Sequence, residues 1–166
     1  YDADGREIWA CPNVDSRAAT EATELVTSGR ARRIYEQGGD WVSITSPARL
    51  LWLQNHEPEI FRRIAHLGML SDWVLYRLTG RFVADPSSGS SSNLFDLRAR
   101  TWSSSSLDLV GLSPDVVPEV LEPGTVVGPL TARAADETGL AVGTPVVVGG
   151  ADTQLGLVGI GVVGPD

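Results

Sequence analysis

The turn Gly149-Gly150-Ala151-Asp152 holds the side chain and the backbone best suited to chemistry in this sequence. The β-branched run 146–148 before it reads as a buried strand, and Asp152 opens an apolar, glycine-spaced helix. A carboxylate at such a junction sits among free helix N–H groups. The glycines beside it leave bare backbone that a ligand can approach closely. Two roles fit Asp152: a general base facing a cleft, or a cap on its own helix. They can coexist, one oxygen serving each. Thr153 and Gln154 follow in the first helical turn, as ligand contacts or as ordinary first-turn residues.

A second polar group lies near the start. Asn13, Asp15 and Arg17 follow the strand-like run 6–11, which Pro12 stops. Buried hydrogen bonds from such side chains would discriminate strongly among the hydroxyls or hydrated carbonyls of a small polyol-like ligand. The competing reading has Asp15 cap the following helix and pair with Arg17 at the surface, and Arg17 is assigned to that pairing. Trp52, Trp73, Trp102 and Tyr76 lie in apolar elements and read as packing. The serine-rich stretch 87–92 reads as a loop that satisfies its own backbone.

Composition narrows the chemistry further. The 166 residues carry thirteen positive charges, all Arg, and a net charge of −8. Without Lys there is no phosphate-loop lysine and no Schiff base in this stretch. The acidic balance argues against a nucleic-acid partner, and the run Arg30-Ala31-Arg32-Arg33 reads as a solvated helix end. A hydrophobic fraction of 42% suits one globular domain over 1–166, and the apolar stretches are far short of a bilayer span. Cys11, the single cysteine, excludes an internal disulfide and points to a reducing, cytoplasmic setting. With His56 and His66 it makes no metal-ligand spacing.

Periodicity and punctuation predict helices over 15–26, 46–55, 58–64, 71–79, 105–110 and 131–138. Gly29 breaks the first of these, and Gly38-Gly39 marks a loop. Strands are expected at 6–11, 67–70, 125–127 and 146–148, and an ordered loop or short capped helix at 85–93. Helices alternate with strands without an internal repeat, which gives an α/β class.

These pieces together resemble the FGGY carbohydrate kinases. The stretch 44–56 is similar to the family's first signature through Ser46, Trp52 and the pair Asn55-His56. It departs in Arg49, where Lys is usual, and in Ile44. Asp72, the helix to Thr79-Gly80 and the Asp85-Pro86-Ser87 that follows resemble a second segment, and Gly149 to Asp152 resembles the turn bearing the family's base. The resemblance implies an actin-like, ribonuclease-H-like α/β fold, with a phosphate-binding hairpin before Tyr1 and an ATP-binding domain after Asp166. The chain is then most of a sugar-binding half, inactive alone.

The resemblance also assigns roles. Asp152 would take the proton of a substrate hydroxyl as its oxygen attacks the γ-phosphate of ATP. Gly149 and Gly150 would lie beside the phosphoryl group, and Asn13, Asp15, Thr153 and Gln154 would contact substrate. ATP and Mg²⁺ would be held mainly by parts of the enzyme outside this chain. Three stretches, 7–17, 47–52 and 143–156, look like members that act on linear dihydroxypentanedione, a quorum-sensing signal precursor. The alternative is a pentulose such as xylulose or ribulose. The run 56–62 is shared with xylulose-type members, but those carry Trp-Asn-Asp where this chain has Asn13-Val14-Asp15. A rival of another class is a non-catalytic binding domain. No nucleic acid or membrane is expected as a partner, and unpaired strand edges would favour a homodimer.

Overall fold

The computed structural model describes residues 1–41, 45–162 and 164. Ile44 therefore lies outside the described residues. The chain divides into two compact units, Tyr1–Leu67 with Gly89–Pro118, and Gly68–Ser88 with Glu119–Asp166.

The first unit is built on helices. Helix α1 (Ala19–Thr27) buries Ala22 and Leu25, α2 (Arg30–Gly38) buries Ala31 and Ile34, and α3 (Ser46–His56) buries Ala48, Leu50 and Leu53. Ala18, Ala22, Leu25, Ala31, Ile34 and Ala48 form one core, with Trp52 packed against it. Helix α4 (Pro58–Arg62) follows directly, started by its proline. Later in this unit come strands β2 (Phe95–Asp96) and β3 (Thr101–Trp102), an antiparallel pair with Phe95 opposite Trp102. Helix α7 (Ser104–Leu109) is capped by the Ser103 hydroxyl, and a 3₁₀ turn spans Pro114–Val116. A second core gathers Leu50, Leu94, Leu107, Val110, Leu112 and Val116.

The second unit alternates. Helix α5 (Leu70–Thr79) ends at Gly80 in the left-handed conformation, φ 76°. Strand β1 (Val83–Ala84) pairs in parallel with β4 (Glu119–Val120). Helix α6 (Pro86–Ser91) begins in this unit. Strand β5 (Val126–Pro129) pairs antiparallel with β6 (Pro145–Val147), with a register shift between Val126 and Gly128. Helix α8 (Ala132–Thr138) lies between them, capped by Thr131 and closed by left-handed Gly139. Helix α9 (Asp152–Gly159) follows β6 and buries none of its side chains. Leu75, Val83, Val127, Leu130, Ala134, Ala135, Val146 and Val148 make the core.

Several expectations need correction. Residues 6–11 form no strand among the described residues, because β-propensity without a paired neighbour builds no ladder. Helix α1 starts at Ala19 instead of 15 or 16: Asp15 accepts the Arg17 N–H, but residues 17 and 18 form a turn and Ala18 takes the N-cap position. Residues 67–70 are no strand: Leu67 donates to the Val116 carbonyl, and Met69 is the N-cap of α5. Helix α2 was unanticipated; its apolar positions are few and its flanks, Gly29 and Gly39, are both left-handed. Residues 146–148 are only partly buried, with Val147 45% exposed between buried Val146 and Val148.

Candidate functional site

In the first unit, residues 12–15 close a turn in which the Asp15 N–H donates to the Pro12 carbonyl at 3.0 Å. Asp15 then folds back on Arg17. Its Oδ1 accepts the Arg17 backbone N–H at 3.0 Å, and its Oδ2 lies 2.8 Å from Arg17 Nε. The Arg17 backbone bond above all, then the Arg17 side chain and the Arg17 and Arg49 charges, hold the Asp15 carboxyl below its ordinary range. Asn13 is exposed and Asp15 half-buried. Thus Asn13 and Asp15 share one turn, and Arg17 is the ion-pair partner of Asp15.

Arg49 organises this turn and was not anticipated as doing so. From α3 its Nη2 donates to the carbonyls of Asn13 at 2.8 Å and Pro12 at 3.3 Å. A guanidinium, with several donors in a fixed fork, can hold two carbonyls at once. Around it lies an aromatic–ionic stack. Arg17 sits 4.9 Å from the centre of the Trp52 ring, and Trp52 stacks on His56 at 5.1 Å. His56 Nε2 is 3.3 Å from Oε1 of Glu21, a buried carboxylate that also accepts from Asn55 at 3.4 Å. The Asn55-His56 pair therefore ties α3 to α1. Trp52 is at once part of the packing and a platform for Arg17.

In the second unit, the strand β6 delivers the chain to Gly149 and Gly150, and Ala151 takes the N-cap position of α9 with extended backbone. Asp152 is the first helical residue, so it is not the cap. Its Oδ1 accepts the Thr153 N–H at 2.8 Å, and the side chain is exposed. Thr153 donates its hydroxyl to Gln154 Oε1 at 2.6 Å, which commits the amide oxygen and leaves its nitrogen the donor end. Both residues are exposed. A Cβ on Gly149 would meet nothing within 4 Å, so this backbone is open to a ligand; one on Gly150 would meet Ser87 Oγ at 3.1 Å.

Behind the turn stands a pair of acids. Asp85 caps α6, its Oδ1 accepting the N–H of Ser87 at 2.8 Å and of Ser88 at 3.0 Å. Asp72 accepts the Met69 N–H at 2.8 Å. Burial, reinforced by the charge of Asp85, raises its pKa to about 6. The cap was legible in Asp85-Pro86, an acceptor followed by proline at the first helical position. Among the described residues no three His, Cys, Asp or Glu gather where they could hold a metal ion.

Residues 7–159 match the model of the FGGY family of carbohydrate kinases, N-terminal domain. The chain is 43% identical to the autoinducer-2 kinase of Yersinia enterocolitica over 99% of its own length and 32% of that protein's. It is also 43% identical to the autoinducer-2 kinase of Klebsiella pneumoniae, over 98% of this chain and 31% of the relative. It thus spans about a third of the curated relatives it matches. Among solved structures, a xylulose kinase from Rhodospirillum rubrum is similar at TM-score 0.89 and 29% identity, covering 99% of this chain and 34% of that one. A ligand-bound xylulose kinase from Lactobacillus acidophilus has the same fold at TM-score 0.89 and 22% identity, covering 96% and 33%. The α/β fold is that of these N-terminal domains, and with 153 residues inside the family match (7 to 159) the chain belongs to the FGGY family of carbohydrate kinases.

Proposed function

We propose that residues 1–166 form most of the substrate-binding domain of a kinase that moves the γ-phosphoryl group of ATP onto the terminal hydroxyl of a small polyol-like substrate. Linear dihydroxypentanedione is the first candidate. The observation carrying this reading is Asp152: an exposed carboxylate at the first position of α9, next to glycine backbone with open space at Gly149. The 43% identity to autoinducer-2 kinases supports the choice of substrate.

In this reading Asp152 accepts the substrate hydroxyl proton while that oxygen forms its bond to the γ-phosphorus and the bond to the bridging oxygen of ADP breaks. Phosphoryl transfer of this kind is chiefly positioning and charge stabilisation, with a base orienting the nucleophile. The Gln154 amide nitrogen donates to a substrate oxygen. In the first unit the turn 12–15, held by Arg49, offers Asn13 and Asp15 as candidate contacts for hydroxyls or carbonyls of a small polyol-like molecule. ATP is the phosphoryl donor and arrives with Mg²⁺.

A pentulose is the second acceptor class, supported by the 29% identity to the Rhodospirillum rubrum xylulose kinase. A phosphorylation screen of the full-length gene product with dihydroxypentanedione, xylulose, ribulose and glycerol side by side tests the choice. Preference for xylulose would replace the first candidate; no turnover of any acceptor would leave a binding domain. In the same protein Asp152→Asn should lower kcat by about 10²–10⁴-fold with substrate binding retained. Unchanged kcat would remove Asp152 from the reaction.

A further inference from the structure

Helix α9 begins without a side-chain cap of its own and buries nothing, so its packing does not by itself hold Asp152 in place. An outside contact does. Ser87 donates its hydroxyl proton to Asp85 Oδ1, the same oxygen that accepts the N–H groups of Ser87 and Ser88. With its proton committed, Ser87 Oγ presents a lone pair outward. It accepts the Ala151 N–H at 2.7 Å, a bond spanning 64 positions of sequence. Asp85 is 3% exposed, so the anchor is buried even though the turn it holds is not. Gly150 fits this contact: a Cβ there would come to 3.1 Å from Ser87 Oγ and 3.5 Å from Leu155 Cγ. The hydroxyl and the missing side chain face each other.

We propose that Ser87 is a positioning residue for Asp152: hung on buried Asp85, its hydroxyl grips the backbone immediately before the carboxylate and sets the bearing of that carboxylate toward the acceptor hydroxyl. The inference rests on the base reading of Asp152 given above. It assigns Ser87 no contact with substrate. The cap of α6 does not need the hydroxyl, because Asp85 keeps the two backbone N–H donors when Ser87 is replaced. Loss of the hydroxyl therefore acts on the turn more than on the helix that carries it. A misplacement of about 1 Å at a reacting group can cost roughly 10²-fold in rate.

The test is steady-state kinetics of the full-length product with its preferred acceptor, for wild type, Ser87→Ala, Ser87→Thr, Asp152→Asn and the double variant S87A/D152N. Ser87→Ala should lower kcat by about 10–10²-fold with the acceptor KM within about threefold of wild type. Ser87→Thr, which keeps the hydroxyl, should recover most of that loss. In the Asp152→Asn background, Ser87→Ala should cost little more, since a residue that acts through the carboxylate has nothing left to position. Wild-type kcat in Ser87→Ala, or an equal loss in both backgrounds, overturns the inference while leaving the base intact. Wild-type kcat in Asp152→Asn overturns the base reading itself. If Ser87→Ala lacks a folded circular dichroism spectrum, Gly150→Ala takes its place. That change wedges the same contact and should lower kcat with KM retained; unaltered kcat there counts against the tether.

Discussion

Burial takes the Asp72 carboxyl out of water and lifts its pKa from 3.8 to about 6, with Asp85 pushing the same way. The sign of the linkage follows. Between those two values the folded chain binds a proton that the unfolded chain has released, so stability falls as pH rises through the window. Acidifying from pH 7 to 5 should therefore stabilise the protein, by an amount on the order of 1 kcal/mol from this group. Asp2, Asp15 and Glu137 are shifted the other way by their N–H and arginine partners, and the stability they supply is lost as pH falls below about 4. Urea midpoints measured at pH 7, 6 and 5 should rise in that order, and Asp72→Asn should flatten the rise. A flat wild-type profile would contradict the shift. None of this was legible at Asp72, whose place in the sequence shows only an acid in the first turn of an amphipathic helix. Arg49 was hidden for a similar reason: its bonds reach carbonyls 36 and 37 residues back. Asp152 stands out in the sequence because a strand, two glycines and one alanine lead straight to an acid.

At the scale of elements, local punctuation did most of the work. Helix α8 shows it well, with a hydroxyl at its N-cap and a left-handed glycine at its end. Thr131 accepts the Ala134 N–H at 3.3 Å, so Thr131→Ala should cost about 1 kcal/mol. Gly139→Ala should cost a similar amount, about 1 kcal/mol, for backbone reasons alone, since a Cβ there meets nothing but φ is 76°. Chemical denaturation reads both, and a cost near zero at either position would show that the helix end frays without consequence. The same signals located α3, α5 and α9. They failed for α2, where three arginines mask a short apolar stripe, and at 6–11, where strand-like residues lack a paired neighbour. Pairing is a long-range property. The two-residue strands β1 and β4, joined across 36 positions, carry too little pattern to be read locally.

Over the whole molecule, family membership came from spacing and residue type together, and the α/β class from alternation. One boundary between the two compact units, Ser88 to Gly89, falls inside the serine-rich stretch 87–92, which its composition alone does not distinguish from an ordered loop within one domain. The chain covers about a third of the kinases it resembles, and its described residues gather no metal-ligand set. The purified 166-residue chain should accordingly show no ATP turnover with any acceptor in the screen; measurable ADP release would mean that it holds a nucleotide site of its own. Finally, a helix that supports none of the core answers to different demands from its neighbours. Replacing Thr153 or Gln154 should leave the melting behaviour of the rest almost untouched, so whatever such changes do to phosphorylation can be credited to recognition and not to damage.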